Sequence, residues 1–367
     1  MKFRCERDNL LEALTTAGRA GSGRSSSAGA LAGSRLSLNG DMLEVTGTDQ
    51  DITMSTTVRV AGLGDGVVVV PGRLLADITR ALEPGAVLVQ GDDEEVQVSA
   101  GRSQFMLRPY RAGDFPHLPS ASGPSTSLPT AGLAEALRQV VRAASSEDTR
   151  PVLTGVLMTS EADGLRLVAT DSYRLAVKDL PGAQGVLAEG QKVLVPSRAL
   201  GELQRLLNAE TSQVDIQLGA HDVRFSVGQV KLTTRLIEGD FPPYRQLIPF
   251  NYPNKLVVAR EPFLDAIRRV RLVARDATIP ARITLRPDTV QLSVITNDWG
   301  QAVEEVDAKY EGAEMTIAFS PQYLAEGVDG VGGEEVLLET VDAMKPATLK
   351  PTDKADYLYL LMPVRVA

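Results

Sequence analysis

The sequence predicts an α+β fold built from one module repeated three times, each copy carrying two amphipathic helices on antiparallel strands. Three short features predict it, because each recurs at nearly the same interval along the 367 residues. A proline opens an apolar-periodic run at Pro71, Pro196 and Pro321, each 125 residues after the last. A Thr-Asp or Thr-Asn step ends an alternating apolar run at Thr48-Asp49, Thr170-Asp171 and Thr296-Asn297, spaced by 122 and 126. Gly113-Asp114-Phe115-Pro116 returns 126 residues later as Gly239-Asp240-Phe241-Pro242. One such match arises by chance, but several in the same order at the same offset mark duplication of a structural unit.

The first helix of each copy is expected at 7–17, 130–144 and 261–274; in the second copy Leu133, Leu137, Val140, Val141 and Ala144 form one stripe. A strand pair follows, in the first copy at 35–45, where Asn39-Gly40 suits the positive φ angles of a tight turn. The proline-led helix comes next, since a proline in the first helical turn gives up an N–H that would be unpaired anyway. Further strands, such as 223–227, complete the copy. Connections rich in Pro, Ser and Thr at 117–124 and 248–253 place the domains at 1–122, 123–253 and 254–367.

Composition narrows the function. The longest aliphatic run, Val67 to Val70, is far short of the roughly 20 residues a membrane helix needs. The N-terminus alternates charges where a secretory signal needs a basic start and an apolar stretch, so a cytoplasmic protein is expected. The single cysteine, Cys5, suits a reducing compartment and reads as a small buried residue on a first strand.

Catalysis finds little support. The two histidines, His117 and His221, fall in turns, and one Cys with two separated His does not make a zinc site. Neither Gly21-Ser22-Gly23-Arg24 nor the 185–190 stretch completes a nucleotide-binding fingerprint. Asp92-Asp93-Glu94-Glu95 alternates faces and reads as a charged turn. No catalytic residue, cofactor or metal ligand is expected.

With 38 basic and 47 acidic residues the net charge is −9, which taken alone argues against binding nucleic acid. Distribution matters more than the sum. Arg73 with Arg80, and Arg198 with Arg205, stand seven apart on the proline-led helices. On the first helices Arg138 and Arg142 are at i, i+4, while Arg268, Arg271 and Arg275 share a narrow sector. Burying the leucine stripe turns these arginines away from the sheet. For any one helix this is a solvated face with surface ion pairs; repeated over four helices of an acidic chain, it is a track for phosphates. The third proline-led helix departs from the pattern, with Tyr323, Glu326 and Asp329. Without motifs for reading bases, contact with a duplex is expected to be sequence-independent. A scaffold that binds only proteins, and a magnesium-dependent nuclease using its acidic clusters, are the two other readings.

Three stretches then carry a resemblance. Thr170-Asp171-Ser172-Tyr173-Arg174-Leu175-Ala176-Val177, the Gly239-Asp240-Phe241-Pro242 element, and Leu360-Leu361-Met362-Pro363-Val364-Arg365-Val366 resemble the bacterial DNA polymerase III beta clamp family, over the whole chain. The resemblance implies three similar DNA-clamp domains per protomer. A head-to-tail homodimeric ring would encircle duplex DNA without catalysis. It would tether the replicative polymerase, clamp loader and repair factors through short linear peptides. Arg24, Arg73, Arg150 and Arg198 match the family's DNA-facing positions, and Arg80, Arg138, Arg142 and Arg205 join them on the facing argument.

The family's peptide cleft, between the second and third domains, maps to Leu153, Thr170, Ser172, Tyr173, Arg174, Leu175, Pro242, Leu247, Met344, Leu360, Leu361, Met362, Pro363, Val364 and Arg365. Ser172-Tyr173 replaces a Gly-His of many relatives and Gln246 replaces a basic residue, which implies a shifted peptide preference. At the dimer contact, Leu272 and Val273 look like the apolar pair that packs on Ile78, Leu82, Phe105 and Leu107 of the next protomer.

Overall fold

A computed structural model describes residues 1–22, 29–116, 123–208, 211–276, 278–353 and 356–365. One order of elements occurs three times: a strand, a helix, strands, a second helix, three strands. The first copy runs Lys2–Glu6, α1 (Arg7–Gly18), Gly33–Asn39, Met42–Thr48, Ile52–Arg59, a short added strand Ala61–Gly64, Gly66–Pro71, α2 (Gly72–Ala81), Ala86–Gly91, Val96–Ala100 and Ser103–Leu107. In the second come Ser125–Pro129, α3 (Thr130–Val140), Gly155–Glu161, Gly164–Thr170, Arg174–Pro181, Lys192–Pro196, α4 (Ser197–Leu206), Gln213–Leu218, Asp222–Val227 and Val230–Arg235. The third comprises Asn254–Ala259, α5 (Arg260–Arg271), Ala281–Leu285, Thr289–Thr296, Gly300–Glu311, Met315–Phe319, α6 (Pro321–Gly330), Glu335–Thr340, Ala347–Pro351 and Tyr357–Leu361.

The Thr-Asp step builds the same turn in each copy. Thr48 donates its hydroxyl to the Ile52 carbonyl at 3.1 Å, Thr170 to that of Arg174 at 2.6 Å, and Thr296 to that of Gly300 at 3.2 Å. The Asp49 carboxylate accepts from the N–H groups of Asp51 and Ile52, and Asp171 likewise from Tyr173 and Arg174. Both turns need a left-handed residue, and Gln50 and Ser172 each take φ 79°. That conformation costs a non-glycine residue roughly 1–2 kcal/mol. The side-chain bonds to the backbone offset that cost.

By packing, the chain forms two compact units, residues 1–131 with 201–236, and 132–200 with 237–367. Strands of the second copy thus belong to both. The first unit holds a five-stranded sheet with Lys2–Glu6 between Ala61–Gly64 and Ala86–Gly91, and an eight-stranded sheet. In the latter, Val230–Arg235 pairs antiparallel with Ile52–Arg59, continuing strands of the second copy into the first. The second unit is a twelve-stranded sheet in which Arg174–Pro181 pairs antiparallel with Tyr357–Leu361.

The core of the first unit joins Leu10, Leu14 and Ala17 of α1 and Leu75 and Ile78 of α2 to Leu36, Val45, Val68 and Val89 of the strands. Cys5 lies in it, and burial, followed by the charge of Glu6, pushes its thiol up to about 11. A raised folded pKa makes this group contribute stability below its unfolded pKa and lose it as pH rises from about 9 towards about 11. At pH 8 the native chain should therefore resist thiol alkylation and the denatured chain should label completely. Rapid native labelling would contradict this burial.

Four local expectations shift. Asn39 pairs with Met42, so the two-residue turn is Gly40-Asp41, with positive φ at Gly40 alone. The helix α3 ends at Val140 because Val141–Ala143 tightens into a 3₁₀ turn. Helix α5 ends at Arg271, so Arg275 leaves the expected helical sector and places its guanidinium 4.3 Å over the Trp299 ring. The prolines also differ by one position: Pro71 caps α2, while Pro321 is the first residue of α6 behind its cap Ser320.

Candidate nucleic-acid and peptide interfaces

The arginine-bearing helices bury an apolar stripe and leave most of their arginines exposed. On α2, Leu75, Ala76 and Ile78 are buried while Arg73 and Arg80 are exposed; on α4, Ala199, Leu200 and Leu203 are buried while Arg198 and Arg205 are exposed. Helix α3 buries Leu133, Ala136, Leu137 and Val140. Its Arg138 is half-buried and forks onto Glu135 at 2.8 and 2.7 Å. These bonds hold the Glu135 carboxyl below the usual carboxylate range against the opposing effect of burial. Arg142 is exposed, and so is Arg150, whose guanidinium donates to the Ser172 hydroxyl at 2.9 Å. Arg24 lies outside the described residues.

Sequence reasoning missed the acids beside these arginines. Arg80 pairs with Asp77 at 2.6 Å, Arg205 with Glu202, and Arg268 with Asp265 at 3.3 Å. The out-of-pattern Asp329 of α6 stands 2.8 Å from Arg142, and the Asp329 carbonyl accepts from Arg138 at 2.9 Å. An acid three residues before an arginine was the available signal.

The residues of the candidate peptide cleft all belong to the second unit. Register brings two segments together: Leu175 lies opposite Leu360 and Arg174 opposite Leu361, and the Met362 N–H donates to the Tyr173 carbonyl at 2.9 Å. Leu153, Thr170, Leu175, Leu360 and Leu361 are buried. Leu175 and Leu360 join one apolar cluster with Val177, Val168 and Tyr244. Exposed around them in sequence are Ser172, Tyr173, Leu247, Met344, Met362, Val364 and Arg365, with Pro242 and Pro363 half-buried. Large apolar side chains at the surface, Tyr173 at 61 % and Met344 at 58 % exposure, are what a peptide-anchoring rim requires.

Arg174 differs from the others, being only 7 % exposed. Its guanidinium bonds Asp171 at 3.0 Å, the Glu326 carboxylate and the Arg142 carbonyl, and lies 4.2 Å over the Tyr323 ring. Burial works against its charge, but Tyr359 and Glu326 more than restore it, so it stays above the ordinary arginine value. It positions the Thr170–Arg174 turn from below. Glu326 and Tyr323, which break the arginine pattern of α6, are its partners.

Of the candidate dimer residues, Leu272 is 74 % exposed, Val273 half-buried and Phe105 exposed on the edge strand Ser103–Leu107. Ile78, Leu82 and Leu107 lie in the core of the first unit. Ile295, Trp299 and Val303 are exposed on the hairpin of Thr289–Thr296 and Gly300–Glu311, a further apolar feature that the sequence reading did not single out.

Asp92 accepts from the N–H groups of Glu94 and Glu95, which makes the acidic run a turn. Among the described residues no three His, Cys, Asp or Glu side chains gather as metal ligands, and no helix is long and apolar enough to cross a membrane.

Sequence models of the DNA polymerase III beta subunit match three consecutive stretches: its N-terminal domain at 1–119, central domain at 127–243 and C-terminal domain at 245–365. The beta sliding clamp of Streptomyces coelicolor is 35 % identical over 378 aligned residues, covering all of both chains. A DNA polymerase sliding clamp from Bacillus subtilis superposes with a TM-score of 0.92 at 28 % identity, again covering both chains fully. A clamp from Bartonella birtlesii solved with griselimycin bound gives 0.92 at 30 % identity with the same coverage. The chain therefore belongs to the DNA polymerase III beta-subunit family, the beta sliding clamps.

Proposed function

We infer that this DNA sliding clamp, a processivity factor for DNA polymerase III, works by topology. Two copies close head to tail into a ring around duplex DNA, with domains dividing near residues 122 and 253. Leu272 and Val273 of one copy meet the region of Phe105 in the other. Arg73, Arg80, Arg138, Arg142, Arg198 and Arg205, with Arg24, Arg150 and the exposed arginines of α5, touch phosphates without reading bases. Polymerase, clamp loader and repair factors dock by short peptides on the rim formed by Tyr173, Leu247, Met344 and Met362–Arg365. Linkage to an encircling ring keeps a polymerase near its primer end at high effective concentration, so processivity rises with no new contact to DNA. The clamp performs no chemistry, needs no cofactor and acts in the cytoplasm.

The observation that carries this reading is the triplicated module whose helices present arginines in an otherwise acidic chain. Retention after loading tests it. The clamp should stay on closed circular DNA through a high-salt wash and leave when the circle is cut, because salt screens phosphate contacts but cannot open a ring. Equal loss from circular and linear DNA would favour a protein-only scaffold.

A further inference from the structure

The arginines proposed to touch DNA share a local device that phosphate contact does not require. On four helices an acid stands three residues ahead of an arginine: Asp77 and Arg80 on α2, Glu135 and Arg138 on α3, Glu202 and Arg205 on α4, Asp265 and Arg268 on α5. All four pairs are closed, at 2.6, 2.7 and 3.3 Å for the first, second and fourth. Where α6 lacks an arginine it supplies another carboxylate, Asp329, which lies 2.8 Å from Arg142, 3.6 Å from Arg138 and 3.7 Å from Arg268. Three residues ahead of Arg73 and Arg198, by contrast, stand Val70 and Val195. The device belongs to arginines in the body and last turn of the helices.

Stability alone is a weak reason for these pairs, since an exposed ion pair of this kind contributes only about 0.2–1 kcal/mol. Such a pair does change what a guanidinium offers to a phosphate. An unpaired arginine meeting DNA releases a condensed counterion, which makes binding tight at low salt; an arginine already neutralised must first give up its carboxylate, and that exchange is nearly balanced. For a ring held on by linkage, tight phosphate contact adds only friction.

We propose that Asp77, Glu135, Glu202, Asp265 and Asp329 are built-in competitors for the phosphate backbone, which keep the arginine contacts weak and short-lived so that the clamp slides. This rests on the DNA-facing reading of the helices above. Each carboxylate takes back its guanidinium as a phosphate leaves, so moving along the duplex exchanges one ion pair of the guanidinium for another, and the counterion that leaves the phosphate passes to the freed carboxylate.

The test is the combined variant Asp77→Asn, Glu135→Gln, Glu202→Gln, Asp265→Asn, with a triple variant omitting the mostly buried Glu202 in case that position is needed for folding. Equilibrium binding to linear duplex is measured over a salt series, and diffusion of the loaded ring is followed on single DNA molecules. The expected result is affinity at least about tenfold higher at 0.1 M salt. The slope of log K against log salt should steepen by about 0.9 for each arginine that gains a phosphate. Diffusion should slow. A control removes the same charge from the acidic turn, as Asp92→Asn, Asp93→Asn, Glu94→Gln, Glu95→Gln, and should leave slope and diffusion unchanged. The proposal is overturned if the helix variants keep the parent slope, or if the control tightens binding equally. A separate arm, Arg80→Gln with Arg205→Gln, should weaken binding; if it does not, the DNA-facing reading fails, whatever the acid variants do.

Discussion

Arg174→Ala should destabilise the chain by about 3–5 kcal/mol, the loss typical when one partner is removed from a buried ion pair. The guanidinium serves three acceptors in different directions, the Asp171 and Glu326 carboxylates and the Arg142 carbonyl, and it covers the Tyr323 ring. Truncation leaves two acids of low exposure without their cation, and that exceeds the loss of any one hydrogen bond. Arg174→Lys keeps the charge but cannot fork to three acceptors, so it should retain part of the stability. Denaturant midpoints provide the measurement, and a double-mutant cycle with Glu326→Gln should show coupling above about 1 kcal/mol. A loss below about 1 kcal/mol for the alanine variant would mean that the pair is screened and that Arg174 does not support the turn. Because that turn presents Ser172 and Tyr173, peptide affinity should fall along with stability, and the lysine variant should recover both.

How far the sequence revealed this site depends on whether a signal is local. The Thr-Asp step was legible as a repeat because the turn is written in four or five consecutive residues, with side chains that bond their own backbone. The arginine helices were legible because a 3.6-residue period separates Leu75 and Ile78 from Arg73 and Arg80. The two readings of that face, ion-paired surface and phosphate track, turn out not to exclude each other, since Asp77–Arg80 is closed on an exposed face. The role of Arg174 was hidden, because its partners Glu326 and Tyr323 lie about 150 residues away on α6, with no pattern linking them to the turn. A separation of 187 residues likewise hid the pairing of Asp329 with Arg142, since as a sequence feature Asp329 only broke the arginine pattern. Helix ends are also beyond a periodic pattern: Arg275 shares the spacing of Arg268 and Arg271, but α5 stops at Arg271.

Ending the chain at Leu361 should abolish binding of partner peptides and leave the fold nearly intact, because the last residues divide sharply between core and surface. Leu360 and Leu361 are buried and paired with Leu175 and Arg174, so they belong to the last strand and are kept in this variant. Beyond them, Met362, Val364 and Arg365 are exposed, and the described segment is fixed by two backbone bonds, Met362 N–H to the Tyr173 carbonyl and Val364 N–H to the Ala318 carbonyl. Removing those bonds costs about 0.5–1.5 kcal/mol each. The peptide loses more. Central apolar anchors of an interface contribute roughly 2 kcal/mol or more apiece, and losing Met362 with Val364 removes two at once, a drop in affinity of at least about a thousandfold. Fluorescence anisotropy with a labelled polymerase peptide, beside a melting curve and the circular-DNA retention assay, separates the possibilities. Lost peptide binding with melting and retention preserved places the docking rim at Tyr173 and Met362–Arg365. Peptide binding that survives the truncation would put the docking site elsewhere on the clamp, and unfolding of the truncated chain would mean that the two terminal backbone bonds matter more to the strand than their exposure implies.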